Sequence, residues 1–205
     1  TATSAQPQSN SAPSALPPYQ GGPLSIGEHL RAYAARLHPH SPAHRAQNLR
    51  PVATPLMLAG FESGASEFLS EALAPLGMVP LQGGGASGVR SGDASDRGRF
   101  VDGGAIGVQL IRGDLSLTSI GTVTHVGPRR LIAFGHPMMN AGQTGLPTCT
   151  ARILHVLARR NRSFKIGEAL QPSGTLIHDR QSAIVIDQEL QAGTVTFELE
   201  SKNAI

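Results

Sequence analysis

Tryptophan is absent from this chain of 205 residues, and aromatic residues make up only 4% of it. A core must therefore come from aliphatic side chains, and the 40% that is hydrophobic is rich in alanine. Cys149 is the only cysteine, which excludes an internal disulfide and any four-cysteine zinc site. No run of about 18 apolar residues occurs, so the sequence predicts no transmembrane segment. Charge is also sparse, at 15% of residues with a formal net charge of +3. Arg129–Arg130 and Arg159–Arg160–Arg162 form small clusters. No basic stripe interleaved with aromatics supports nucleic-acid binding. The sequence begins at Thr1 with neither an initiator Met nor a signal-peptide hydrophobic region, and reads as a processed chain or a fragment.

What the chain has in quantity is Gly and Pro, 24 and 15 residues, which predicts many turns. Residues 1–23 are rich in Ser, Ala, Pro and Gln and read as a disordered tail, because they can bury too little to offset their ordering entropy. Residues 24–82 read as a helical region. A capping-box spacing, Ser25 to Glu28, opens a first helix that Pro39 and Pro42 stop. Phe61, Ala65, Phe68, Leu69, Ala72, Leu73 and Leu76 share one face of a second helix, with Gly77 as its C′ residue. Val52–Ala59 and Met78–Leu81 are short extended pieces flanking it. Residues 83–100 read as a Gly/Ser-rich loop or linker.

From residue 101 to 205 the pattern turns to β, so the fold class expected is α+β, mainly β after residue 100. The β-branched stretch Leu117–Val126, the turn signal Gly127-Pro128-Arg129-Arg130 and Leu131–Phe134 predict an antiparallel hairpin. Ala151–Ala158 is apolar and fits strand or helix. Gly174–Ile177, Ala183–Ile186 and Thr194–Leu199 read as further strands.

The hairpin ends on Gly135-His136-Pro137, between a small residue and a rigid one. A catalytic imidazole needs a fixed backbone, partial solvent access and a neutral ring ready to take a proton, and a strand-to-turn junction can supply all three. The rival reading is a turn histidine that caps a strand.

Gly121-Thr122-Val123-Thr124 followed by Gly135-His136 resembles the GT-x-T strand, turn and GH dipeptide of the SpoIVB-type serine peptidases. Ser163–Ile166 and Gly174–Arg180 resemble later segments of that family. Thr54-Pro55-Leu56 and Pro80–Gly85 resemble its extended members, so that the likeness runs from about Pro51 to about Val185. The resemblance implies a trypsin-like, two-lobed β architecture with a His–Ser pair and His136 as general base; the residues themselves suggest no cofactor and no metal. It implies a protein or peptide as substrate or partner and an extracytoplasmic location, which the Pro/Ser-rich start suits. The family's nucleophile lies in a Gly-x-Ser-Gly-Ser-Pro-like motif downstream of the GH dipeptide, and nothing after His136 matches it. The expectation is therefore a peptidase-like domain that is incomplete or inactive as this chain, and serine endopeptidase-like if a downstream serine segment completes it. The alternative is a non-catalytic binding or assembly module that keeps the fold.

Asp114 and Asp179 are the candidates to orient His136, with turn carboxylates as their rival reading. Ser182, following Asp179-Arg180, is the first candidate nucleophile within the chain. Gly83–Gly88 fits GxGxxG, yet lacks the helix that a dinucleotide site requires and reads as a loop. His38, His40 and His44 are separated by prolines and read as a connector rather than a metal site. His125 reads as structural, and Cys149 as a small buried residue.

Overall fold

In the computed structural model, residues 53–83, 99–158 and 163–198 are described, together with Glu28 and Ala32, both helical. The tail 1–23, most of the 83–100 linker, and His38, His40 and His44 lie outside the described residues. The elements are β1 (Thr54–Ala59), α1 (Ser63–Leu73), a 3-10 turn (Ala74–Leu76), β2 (Met78–Gln82), β3 (Ala105–Ile111), β4 (Ser116–Val126), β5 (Arg130–Ala133), β6 (Gly142–Leu157), β7 (Phe164–Arg180) and β8 (Ala183–Asp187). No described helix is long and apolar enough to cross a membrane.

The second expected helix forms, and Gly77 closes its 3-10 extension at φ 72°. A left-handed residue there favours glycine. Only the C-terminal half of α1 packs inward. Ala72, Leu73 and Leu76 are buried, whereas Phe68, expected on the same face, stays 49% exposed. The two extended pieces around α1 pair with each other in parallel, and β1 pairs with β4. Residues 54–82 thus share a sheet and a core with the strands after residue 100. The region read as helical contributes two strands as well as its helix.

The sheet runs β2-β1-β4-β3-β6-β7-β8-β5, and β5 pairs back onto β4. Six strands therefore form a closed ring, and every pairing around it is antiparallel. The expected hairpin is the β4–β5 pair, with Val126 opposite Leu131. Strands β3, β4 and β5 follow one another, and β6 returns to lie beside β3. That is a Greek key, whose return connection is the segment from Phe134 to Ala141. The ambiguous Ala151–Ala158 stretch is strand, as part of the 16-residue β6.

Strand alternation sends Leu56, Ile106, Val108, Val123, Leu131, Leu176, Ile184 and Ile186 into one core, each at 1% exposure or less. Burying an aliphatic side chain of this size stabilises by about 1.5–3 kcal/mol, and Phe100 adds one buried aromatic ring to the same core. Of the strand expected at Thr194–Leu199, residues 194–198 are not strand. Residues 190–198 carry no regular pairing, with Val195 and Phe197 exposed. Both edges of β8, the strand before it, are already taken, by β7 and by β5.

The β4–β5 turn is fastened to the end of β8. Arg129 Nε lies 3.1 Å from the Asp187 carboxylate, and Gln188 bonds Arg129 and Gly127 carbonyls through its backbone and side-chain nitrogens. Burial alone would raise the Asp187 carboxyl. The Glu189 N–H, the Arg129 guanidinium and the Leu190 N–H together hold it below its ordinary value. A depressed carboxyl contributes stability that is present above its unfolded value and lost as pH falls through the folded one. Urea midpoints followed downward from neutral pH should therefore fall for the wild type below about pH 4. They should fall less for Asp187→Asn, which starts lower. Parallel profiles would show that this carboxylate is not a source of the acid loss.

Candidate functional site at the Greek-key crossover

Strand β4 has β3 along one edge. Its other edge is shared lengthwise, by β1 at Ser116–Ser119 and by β5 at Val123–Val126. The crossover leaves β5 at the notch between these two partners, over Gly121. Its first residues turn sharply, with Phe134 at φ 73° and Gly135 at φ 71°. A non-glycine residue in the left-handed region costs about 1–2 kcal/mol. The Phe134 N–H bond to the Thr122 carbonyl, at 2.9 Å, helps to hold it there. The Phe134 ring lies on Gly121, where an added Cβ would fall well inside contact distance of the ring. The glycine of the GT-x-T strand is thus the floor on which the crossover's aromatic residue rests.

His136 follows, half-buried, its ring 5.5 Å from that of Phe134 and tilted 44° to it. Its Nδ1 lies 2.8 Å from the Pro137 carbonyl oxygen. A carbonyl can only accept, so Nδ1 carries the proton, and in the neutral ring Nε2 carries the lone pair. This is the tautomer a general base requires. Among the described residues this is the only hydrogen bond of the ring.

The backbone beyond His136 is gripped by a fully buried carboxylate. Asp179, near the end of β7, accepts the N–H groups of Met138 at 2.8 Å, Met139 at 2.7 Å and Ala141 at 3.2 Å. From the opposite side, the hydroxyl of Thr54 at the start of β1 donates to the Met138 carbonyl at 3.1 Å. Met138 and Met139 point into the core, at 3% and 8% exposure. The crossover is therefore a fixed segment rather than a loose loop, as a positioned imidazole demands.

The expected partners of His136 fall differently. Asp114 sits on the exposed β3–β4 turn, its carbonyl against Gly60 just past the far end of β1. At least five strand residues separate it from the notch at Gly121, on the order of 15 Å, so Asp114 does not orient His136. Ser182 is exposed on the β7–β8 turn, two residues before the Ile184–Ala133 pair, and so shares the rim with the crossover. Among the described residues no hydrogen bond joins it to His136, whose ring bonds the Pro137 carbonyl instead. Asp179 does reach the His136 segment, through backbone groups. Thr54 had no marker in the sequence beyond being a polar residue at the head of an apolar run.

Cys149 and His125, both read as structural, lie among the described residues. Cys149 is fully buried, its thiol pushed up to about 12 by burial, which disfavours the nucleophilic thiolate. His125 is exposed and pairs with Asp102 at 3.1 Å. Its hydrogen bond and the Val126 N–H hold the Asp102 carboxyl below its ordinary value. Lys165 of β7 donates to the Thr122 hydroxyl, tying the outer side of the GT-x-T strand to the β6–β7 ribbon. No three His, Cys, Asp or Glu side chains among the described residues cluster as a metal site. No family model matches the chain, and no curated protein or solved structure matches it either.

Proposed function

We propose that this barrel is a SpoIVB-type serine peptidase-related domain, in which His136 is the general base and a serine segment beyond this chain supplies the nucleophile. One observation carries the reading. The Nδ1–H of His136 is committed to the Pro137 carbonyl, which leaves the Nε2 lone pair on a half-buried ring at the rim of a closed antiparallel barrel. A closed antiparallel barrel is also the kind of lobe that the family resemblance implies. In this role Nε2 takes the hydroxyl proton of a serine as its Oγ bonds to a substrate carbonyl carbon, and later returns the proton to the leaving amine. The substrate class is protein or peptide, and the location is extracytoplasmic, both on the strength of the resemblance.

A fluorophosphonate probe tests this, since it forms a bond to an activated serine Oγ with loss of fluoride. The chain alone should remain unlabelled. Mixed with a polypeptide that carries the family's Gly-x-Ser-Gly-Ser-Pro-like motif, it should support labelling of that serine, and His136→Ala should abolish it. Stoichiometric labelling of Ser182 in the chain alone would place the nucleophile in this chain after all. Silence in the mixture would count against a peptidase and for a binding or assembly module that keeps the barrel.

A further inference from the structure

We infer that Asp179 is the positioning acid of His136 and acts through a single peptide unit, the Pro137–Met138 amide. The amide's N–H points to the Asp179 carboxylate at 2.8 Å, and its carbonyl accepts from His136 Nδ1 at 2.8 Å. No peptide bond among the described residues is cis, the Pro137–Met138 bond included, so these two groups point in opposite directions across one rigid plane. The result is a continuous chain, carboxylate to N–H, carbonyl to imidazole. Where a triad acid touches the imidazole directly, here an amide stands between them. The carboxylate draws on the N–H, the amide polarises, and the carbonyl oxygen becomes a better acceptor for Nδ1–H. A charge-assisted bond at one end thereby favours one tautomer at the other.

The geometry singles out Asp179 among the acids of the fold. Its side chain is fully buried, and its two further bonds, to the Met139 and Ala141 N–H groups, keep the carboxylate from turning away from Met138. The Thr54 bond holds the same segment by the Met138 carbonyl, which belongs to the next peptide unit. Thr54 therefore restrains the crossover without entering the chain to the imidazole. The hydrogen-bond chain stands on geometry alone, whereas its use in setting a general base rests on the peptidase reading.

The test reads the tautomer of His136 rather than turnover, so that it fails independently of the labelling experiment. Imidazole nitrogen shifts are recorded well above the ordinary titration range of histidine, for the wild type, Asp179→Asn and Thr54→Val. The wild type should hold the proton on Nδ1. Asp179→Asn should move the population toward the Nε2–H form that predominates for free imidazole in water, and Thr54→Val should move it much less. Equal shifts in both variants would reduce Asp179 to a general clamp and overturn the inference, as would an unchanged tautomer in Asp179→Asn. A second measurement needs only the wild type. The Met138 amide signal should move with the His136 titration, with the same midpoint and by several times more than those of Met139 and Ala141. Equal movement of the three amides would overturn the inference even if Asp179→Asn does not fold.

Discussion

Asp179→Ala should cost about 4 kcal/mol of unfolding free energy, as much as truncating a large core side chain. The carboxylate is the acceptor for three backbone N–H groups, and two of them belong to buried residues. Alanine leaves those donors without a partner in a place that water reaches poorly. Each unsatisfied buried donor costs roughly 1–3 kcal/mol, with some relief as the crossover shifts. Chemical denaturation monitored by circular dichroism checks this, with Asp114→Ala as the comparison. Asp114 is an exposed turn residue, and its loss should stay within about 0.5 kcal/mol of the wild type. A comparable loss in both variants, or a small loss in Asp179→Ala, would mean that the crossover finds other acceptors and is not held by this side chain.

The second large effect belongs to Gly121. Adding one methyl group there should destabilise by about 2–3 kcal/mol, because the new Cβ would occupy the space of the Phe134 ring. The ring has little freedom to yield, since Phe134 is already left-handed and bonded to Thr122. Gly121→Ala should therefore move the whole start of the crossover, His136 included. A double-mutant cycle isolates the cause: Phe134→Ala in the Gly121→Ala background should cost less than in the wild type, by at least about 1 kcal/mol. Additive losses would show that Gly121 matters for some reason other than the ring above it.

The parts of the fold that could be read in the sequence were those written in local patterns. The β4–β5 hairpin was legible because β-branched residues flank a Gly-Pro turn, and α1 because its apolar residues recur at helical spacing. His136 stood out for its place between Gly135 and Pro137. What could not be read was set by contacts across long stretches of chain. Asp179 looked like a turn carboxylate, because nothing local reveals that the Met138, Met139 and Ala141 amides come to meet it. Asp114 was attractive by nearness in sequence to the hairpin, but β4 carries the two apart. Thr194–Leu199 has a strand's alternation, and only the closure of the ring shows that no edge of β8 is left for it. The role of Gly121 was equally hidden, for a glycine in a motif says that space is needed without saying which side chain needs it.

Ring closure also sets an order on how the molecule can be built. Until β8 is in place, β5 has one unpaired edge along Arg130–Ala133, and β7 has another along Thr175–Arg180. A chain emerging from the ribosome passes through a stage in which its first seven strands exist and the ring does not. At that stage two rows of free amides and carbonyls flank the apolar residues Leu131 and Leu176. Such edges are templates for pairing between chains. The five residues Ala183–Asp187 are therefore a latch: their arrival removes both templates at once. Chains halted just before them should be the species that associates during synthesis, whereas in the closed barrel β8 covers both of these edges.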